Sequence, residues 1–137
     1  MKRRHCLKVL LATTGLIMTR RAKGAQMDEA GGQRPIELHL DLAVDPAREQ
    51  EMLRVFENDF KPAASKQPGF IAIKMLKLTS ALRGPAPAGC NYQFVLTFTS
   101  EELRQKWVAT PTHKMLWPKI EATLTSSNYS RLLYEIY

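Results

Sequence analysis

His113 is the side chain best suited to moving a proton near neutral pH, and it follows closely on an aromatic residue, Trp107. An imidazole there can take a proton from an acidic phenol or hydrogen-bond to one. It can equally serve as an exposed helix residue or a cap. Trp107, Trp117, Phe56, Phe60 and Met75 are the aromatic and soft groups able to line an apolar cavity between a sheet and its helices. The same residues also suit plain core packing. His39 alternates with apolar neighbours, which places it on a sheet face in an interface role rather than a catalytic one. Asn91, Tyr92 and Tyr134 can add hydrogen bonds to a ligand.

Other chemistries find no support in the residue pattern. His39, His113 and the thiol of Cys90 have none of the recognised metal-ligand spacings. Gly84 and Gly89 flank proline and alanine in a surface loop, not in a phosphate cradle. No serine, histidine and acid stand in a nucleophile-elbow pattern. Neither a metal nor an organic cofactor is therefore expected.

The elements that must position these groups read as one α+β domain over residues 35–137. Ile36-Glu37-Leu38-His39-Leu40-Asp41-Leu42 alternates strictly and predicts a half-buried strand. Asp45-Pro46 is a cap followed by a proline at the first helical position. Met52, Phe56, Phe60 and Ala63 follow at helical spacing, and Pro62 is expected to kink or end that helix. Gln67-Pro68-Gly69 predicts a turn, 70–78 a second strand, 81–90 a loop and 91–99 a third strand. Ser100 caps a second helix, with Glu101 and Glu102 at its positive end. Thr110-Pro111 repeats the cap and divides that helix in two; Trp117-Pro118 suggests an irregularity. Residues 129–137 predict the last strand.

That order, βαββαβ, is the ferredoxin-like arrangement: an antiparallel four-stranded sheet with helices on one face. On the third strand Tyr92, Phe94, Leu96 and Phe98 oppose Gln93, Val95 and Thr97. On the last, Leu132, Tyr134 and Ile136 oppose Arg131, Leu133, Glu135 and Tyr137. The face without helices thus mixes apolar and polar groups. It suits pairing with a second copy, and scattered apolar groups on a solvated face are the alternative.

Lys66-Gln67-Pro68-Gly69-Phe70 leading into a strand resembles the dimeric α/β-barrel superfamily, and more closely its antibiotic-biosynthesis-monooxygenase-like domains. Thr99-Ser100-Glu101-Glu102, followed by Trp107 and then His113, fits the same pattern of an aromatic and a histidine in the second helix. The resemblance spans Pro35 to Tyr137. It implies a homodimeric α/β barrel and a cofactor-independent oxygenase, in which the deprotonated substrate itself supplies electrons to oxygen. His113 would be the base and Trp107 a pocket wall. The haem-degrading branch is also similar at Trp107. It needs a histidine near Trp117 and an asparagine on the first strand, where His39 and Asp41 stand, so haem chemistry is not expected.

The first 25 residues carry an address. Lys2-Arg3-Arg4-His5-Cys6-Leu7-Lys8 precedes a short apolar run, 9–18, too short to span a bilayer as a helix. Arg3 and Arg4 with Leu7-Lys8 resemble a twin-arginine export signal. Cleavage is expected after Gly24 or Ala25, leaving a flexible leader over 26–34. An ordinary basic N-terminus or an uncleaved anchor is the alternative. The chain carries +7 overall, with 20 bases and 13 acids; seven bases and no acids lie in residues 1–25, so the remainder is neutral. The basic balance therefore gives no reason to expect nucleic acid as a partner, and contact with a membrane is expected only during export. Removing the signal leaves Cys90 as the single cysteine, so no internal disulfide can form.

The sequence thus predicts a periplasmic or secreted homodimer that acts on, or binds, a small hydrophobic aromatic. The competing expectation is a non-catalytic periplasmic binding or stress-related domain with the same cavity. A proton acceptor facing a cavity would favour the enzyme. A cavity filled by Trp107 and Phe56 would favour the competitor.

Overall fold

The computed structural model describes residues 33–137. The expected signal, with Arg3 and Arg4, and most of the leader lie outside the described residues. Four strands form one antiparallel sheet: β1 (Ile36–Leu42), β2 (Phe70–Lys77), β3 (Tyr92–Phe98) and β4 (Arg131–Glu135), in the order β2-β3-β1-β4. This is the ferredoxin-like order, with helices on one face. Among the described residues no helix is long and apolar enough to cross a membrane.

The first helical stretch starts with a tight turn, Pro46–Arg48, capped by the Asp45 carboxylate, which accepts from the Ala47 N–H. It continues as α1 (Glu49–Val55), a π turn over Phe56–Phe60, and α2 (Lys61–Ser65). Of the two outcomes expected at Pro62, a kink or an end, the helix does not end; its regular winding is interrupted just before the proline. The wider π turn before it absorbs the ring and the missing N–H, and puts Phe56 and Phe60 both inside the core. After α2 the chain reverses at Gly69, whose φ of 84° is left-handed. A Cβ there would stand 2.5 Å from Leu103 Cδ1, so both conformation and space require glycine.

The second helical region is divided as its caps predict. Ser100 accepts from the Leu103 N–H at the start of α3 (Glu101–Val108), and Thr110 accepts from the His113 N–H at the start of α4 (Pro111–Glu121). Pro118 lies inside α4, and the helix runs through it without the expected irregularity.

Sheet register sorts the side chains into rows. Leu40 pairs with Phe94 on one side and Arg131 on the other, and Phe94 pairs with Met75. Leu38 pairs likewise with Leu96 and Leu133, and Leu96 with Ile73. These rows face the helices. Arg131 and Leu133 thus turn inward, while Leu132 and Tyr134 stand beside His39 and Glu37 on the outer face. β4 is shorter than 129–137, because only Arg131–Glu135 find partners on β1. The core lies between the helices and β1–β3: Leu42, Met52, Phe56, Phe60, Phe98, Trp107 and Ile120 are at most 2% exposed, whereas every residue of β4 is exposed.

Candidate functional site

The helix layer covers β1–β3 and stops short of β4. A partly open cavity of about 290 Å³ remains there. Leu38 and Leu40 of β1 and Phe94 and Leu96 of β3 form its floor. Leu133 and Arg131 of β4 form one side. Arg104 and Val108 of α3, His113 and Trp117 of α4, and Phe60 of the π turn close the rest. Its walls are mostly apolar with three polar groups, the usual makeup of a small-molecule site, and its size is near the lower end for one.

His113 is held by aromatic contacts. The Thr110 cap fixes its backbone in the first turn of α4. One turn on, Trp117 stacks nearly parallel to the imidazole, with 6.3 Å between centroids and 14° between planes. Trp107 and Phe60 meet it edge-on at 5.2 and 5.7 Å. Among the described residues the ring nitrogens have no hydrogen-bond partner. Burial first, and then the charges of Arg104 and Arg131, push its pKa down to about 4. At neutral pH the cavity therefore presents a neutral imidazole.

Among the five pocket residues expected from sequence, Trp117 and Phe60 line the cavity. Trp107, Phe56 and Met75 do not. Trp107 is 1% exposed and stands behind His113, and Phe56 packs edge-on to Phe94 at 6.2 Å in the core. Met75 packs at the far end of the Leu40–Phe94 row. Phe60 is the hub, edge-on to Phe94, Trp107, His113 and Trp117 at 5.6 to 5.7 Å. The Trp107 Nε1 is buried with no hydrogen-bond partner among the described residues.

The polar groups considered as ligand donors are otherwise engaged. The Asn91 amide clamps the backbone of Val44, its Oδ1 accepting from the N–H at 2.7 Å and its Nδ2 donating to the carbonyl at 2.9 Å. The Tyr92 hydroxyl donates to Glu49 at 2.5 Å; burial, then that carboxylate, raise its pKa to about 12. Tyr134 lies on the outer face, edge-on to His39 at 4.9 Å. His39 Nε2 is 2.6 Å from Glu37, whose other oxygen accepts from Thr97 at 3.1 Å. The bond to His39 chiefly holds Glu37 below the ordinary carboxylate value.

Arg104 and Arg131 escaped the sequence reading. An arginine on a helix reads as a solvated residue, and Arg104 pairs with Glu101 one turn earlier. For Arg131 the alternation offered a signal: it shares the parity of Leu133, the strand's inward residue.

No family model and no curated protein matches the sequence. Solved structures do match. The cofactor-independent oxygenase SnoaB from Streptomyces nogalater superposes with a TM-score of 0.60 at 16% identity, over 75% of this chain and 93% of that one. A Caulobacter crescentus protein provisionally named an antibiotic biosynthesis monooxygenase gives 0.61 at 16% identity, over 82% and 98%. A dimeric ferredoxin-like protein of unknown function from Jannaschia gives 0.64 at 13% identity, over 74% and 99%. A fold common to these proteins does not by itself determine chemistry. The chain has the ferredoxin-like fold of these oxygenase-type and dimeric proteins.

Proposed function

We propose that this domain binds a small hydroxylated aromatic in the cavity beside His113 and oxygenates it without a cofactor. The observation that carries the reading is one neutral, otherwise unpartnered imidazole in an apolar cavity between two guanidiniums. A ligand hydroxyl donated to His113 meets an acceptor that is neutral at pH 7. The negative charge left on the ligand lies in the field of Arg104 and Arg131, and that anion offsets their repulsion of a proton on His113 and pairs with the imidazolium against the cost of burial. The deprotonated ring then supplies the electrons. A ring CH2, or its enol form, reacts with O2 to give C=O and water, so one oxygen atom enters the product and the other leaves reduced. The apolar walls keep solvent from the carbanion.

Oxygen uptake on a panel of phenols and quinols tests this. Wild type should consume oxygen in proportion to ketone formed, and His113→Ala should lower kcat/KM by about two to four powers of ten with the fold intact. No uptake by wild type on any member would refute catalysis.

The competing reading, a non-catalytic binding domain, draws on the low basicity of His113 in the empty cavity. It predicts binding without oxygen uptake. The cavity itself is not filled by Trp107 or Phe56, which stand behind its wall.

We also propose that the chain is exported through Arg3-Arg4 and works as a homodimer through the outer sheet face. Changing both arginines to lysine should hold the precursor in the cytoplasm. Light scattering should report two copies, with a monomer at micromolar concentration contradicting the pairing.

A further inference from the structure

The two guanidiniums of the cavity are not equivalent. Arg104 is engaged within its own helix: its Nε and Nη2 each lie 2.6 Å from the Glu101 carboxylate. Arg131 has no carboxylate within salt-bridge distance among the described residues. Its Nη2 donates to the Tyr129 hydroxyl at 3.1 Å, and its guanidinium sits 5.3 Å over that ring. Tyr129 is fixed in turn. Its hydroxyl donates to Glu121 at 2.8 Å and accepts from the Trp117 Nε1 at 3.0 Å.

An arginine offers five N–H donors in a planar fork. Arg131 gives one of them to Tyr129, and the residue lines the cavity, which leaves four donors for a ligand. The other members of its sheet row, Leu40, Phe94 and Met75, are all apolar. The position thus puts a charged planar fork at the end of an apolar row, with a braced tyrosine under it. Carboxylates match that fork with two parallel bonds, and arginine is the residue suited to that geometry.

We infer that the cavity takes a hydroxylated aromatic that also carries a carboxylate, bound by Arg131, with Tyr129 setting the plane of the guanidinium. The inference rests on the proposal that the cavity binds such an aromatic near His113. It adds the second anchor: hydroxyl to the imidazole, carboxylate to the guanidinium. Arg131 is a specificity residue in this account and Tyr129 a positioning residue.

Three bicyclic probes separate the possibilities, with Trp117 fluorescence of the full chain as the readout. They are 2-naphthoate, its uncharged isostere 2-naphthamide, and 2-naphthol. Wild type should bind naphthoate about ten- to a hundredfold more tightly than naphthamide, the range of a hydrogen-bonded charge. Added salt should narrow the gap. Arg131→Gln should close it while leaving the uncharged naphthamide within about twofold. Arg131→Lys, which keeps the charge and loses the fork, should retain part of it. Tyr129→Phe should narrow the gap without changing naphthamide affinity. Arg131 is exposed on an edge strand, so an unchanged unfolding midpoint is expected for its two variants, whereas Tyr129→Phe removes a half-buried hydroxyl and should lower the midpoint slightly; both are measured alongside. Equal affinity for naphthoate and naphthamide in wild type, or a gap that survives in Arg131→Gln, overturns the carboxylate inference alone. A naphthol affinity that falls in Arg131→Gln as far as the naphthoate affinity does overturns it, because Arg131 would then serve the phenolate and not a carboxylate. If wild type binds none of the three, the cavity reading fails and this inference with it.

Discussion

The sheet has two faces, and each meets one of the two described histidines, His39 from β1 on the outer side and His113 from α4 on the inner side. On the outer face His39 is 2.6 Å from Glu37, Thr97 donates to the same carboxylate, and Tyr134 covers the ring. Gln93 donates to Asp41 at 3.1 Å beside them. Polar groups there satisfy one another. On the inner side His113, from α4, packs against three aromatic rings, has no side-chain hydrogen bond among the described residues, and lines the cavity. His113 is half-buried, and a ligand at the cavity can supply the hydrogen-bond partner that the protein does not. A self-satisfied cluster needs no further partner, whereas the imidazole at the cavity can still take one, and that is where the proposed ligand would bind.

The largest expected effect tests the division of labour between the two tryptophans. Trp107→Ala empties a fully buried site behind His113 and should cost about 3–5 kcal/mol in urea unfolding. Trp117→Ala should cost less stability and more ligand affinity, because Trp117 forms cavity wall. If Trp107→Ala left stability intact and abolished binding, the assignment of core and wall would be reversed.

Acid should expose the desolvated imidazole. The pKa of His113 is about 4 in the fold, below its ordinary 6.5, so the unfolded chain binds the extra proton first. The fold therefore carries no penalty above pH 6.5 and loses stability as pH falls from 6.5 toward 4. The full shift corresponds to roughly 3 kcal/mol; partial access through the cavity reduces that to about 1–2 kcal/mol. Wild type and His113→Gln should differ by that much more at pH 4 than at pH 7. Parallel curves would mean the imidazole is solvated.

The smallest effect belongs to the outer face. Thr97→Val removes one hydrogen bond to Glu37 and should cost about 0.5–1.5 kcal/mol. It should leave cavity affinity within twofold. A larger change in ligand binding than in stability would break the separation of the faces.

Much of the frame was legible because strand alternation and caps are local. Ile36–Leu42 alternates strictly, and Asp45, Ser100 and Thr110 each accept the backbone N–H their position predicts. Pro62 marked an irregularity but not its form, because the π turn before it goes with the core packing of Phe56 and Phe60. The site was legible in part. His113, Trp117 and Phe60 were singled out and do meet at the cavity. Spacing could not tell Trp107 from Trp117, since both lie on helices that pack inward and only the uncovered edge at β4 decides which meets empty space. Arg131 was hidden because its place depends on pairing with Leu40, 91 residues away in the chain.

The central claim, that the inner histidine serves a ligand and the outer one does not, is tested most directly by nuclear magnetic resonance of the two imidazoles during titration with 2-naphthol. The ring resonances of His113 should move with ligand concentration and saturate, while those of His39 stay within their unliganded positions. Saturating shifts at His39 with none at His113 would contradict the account.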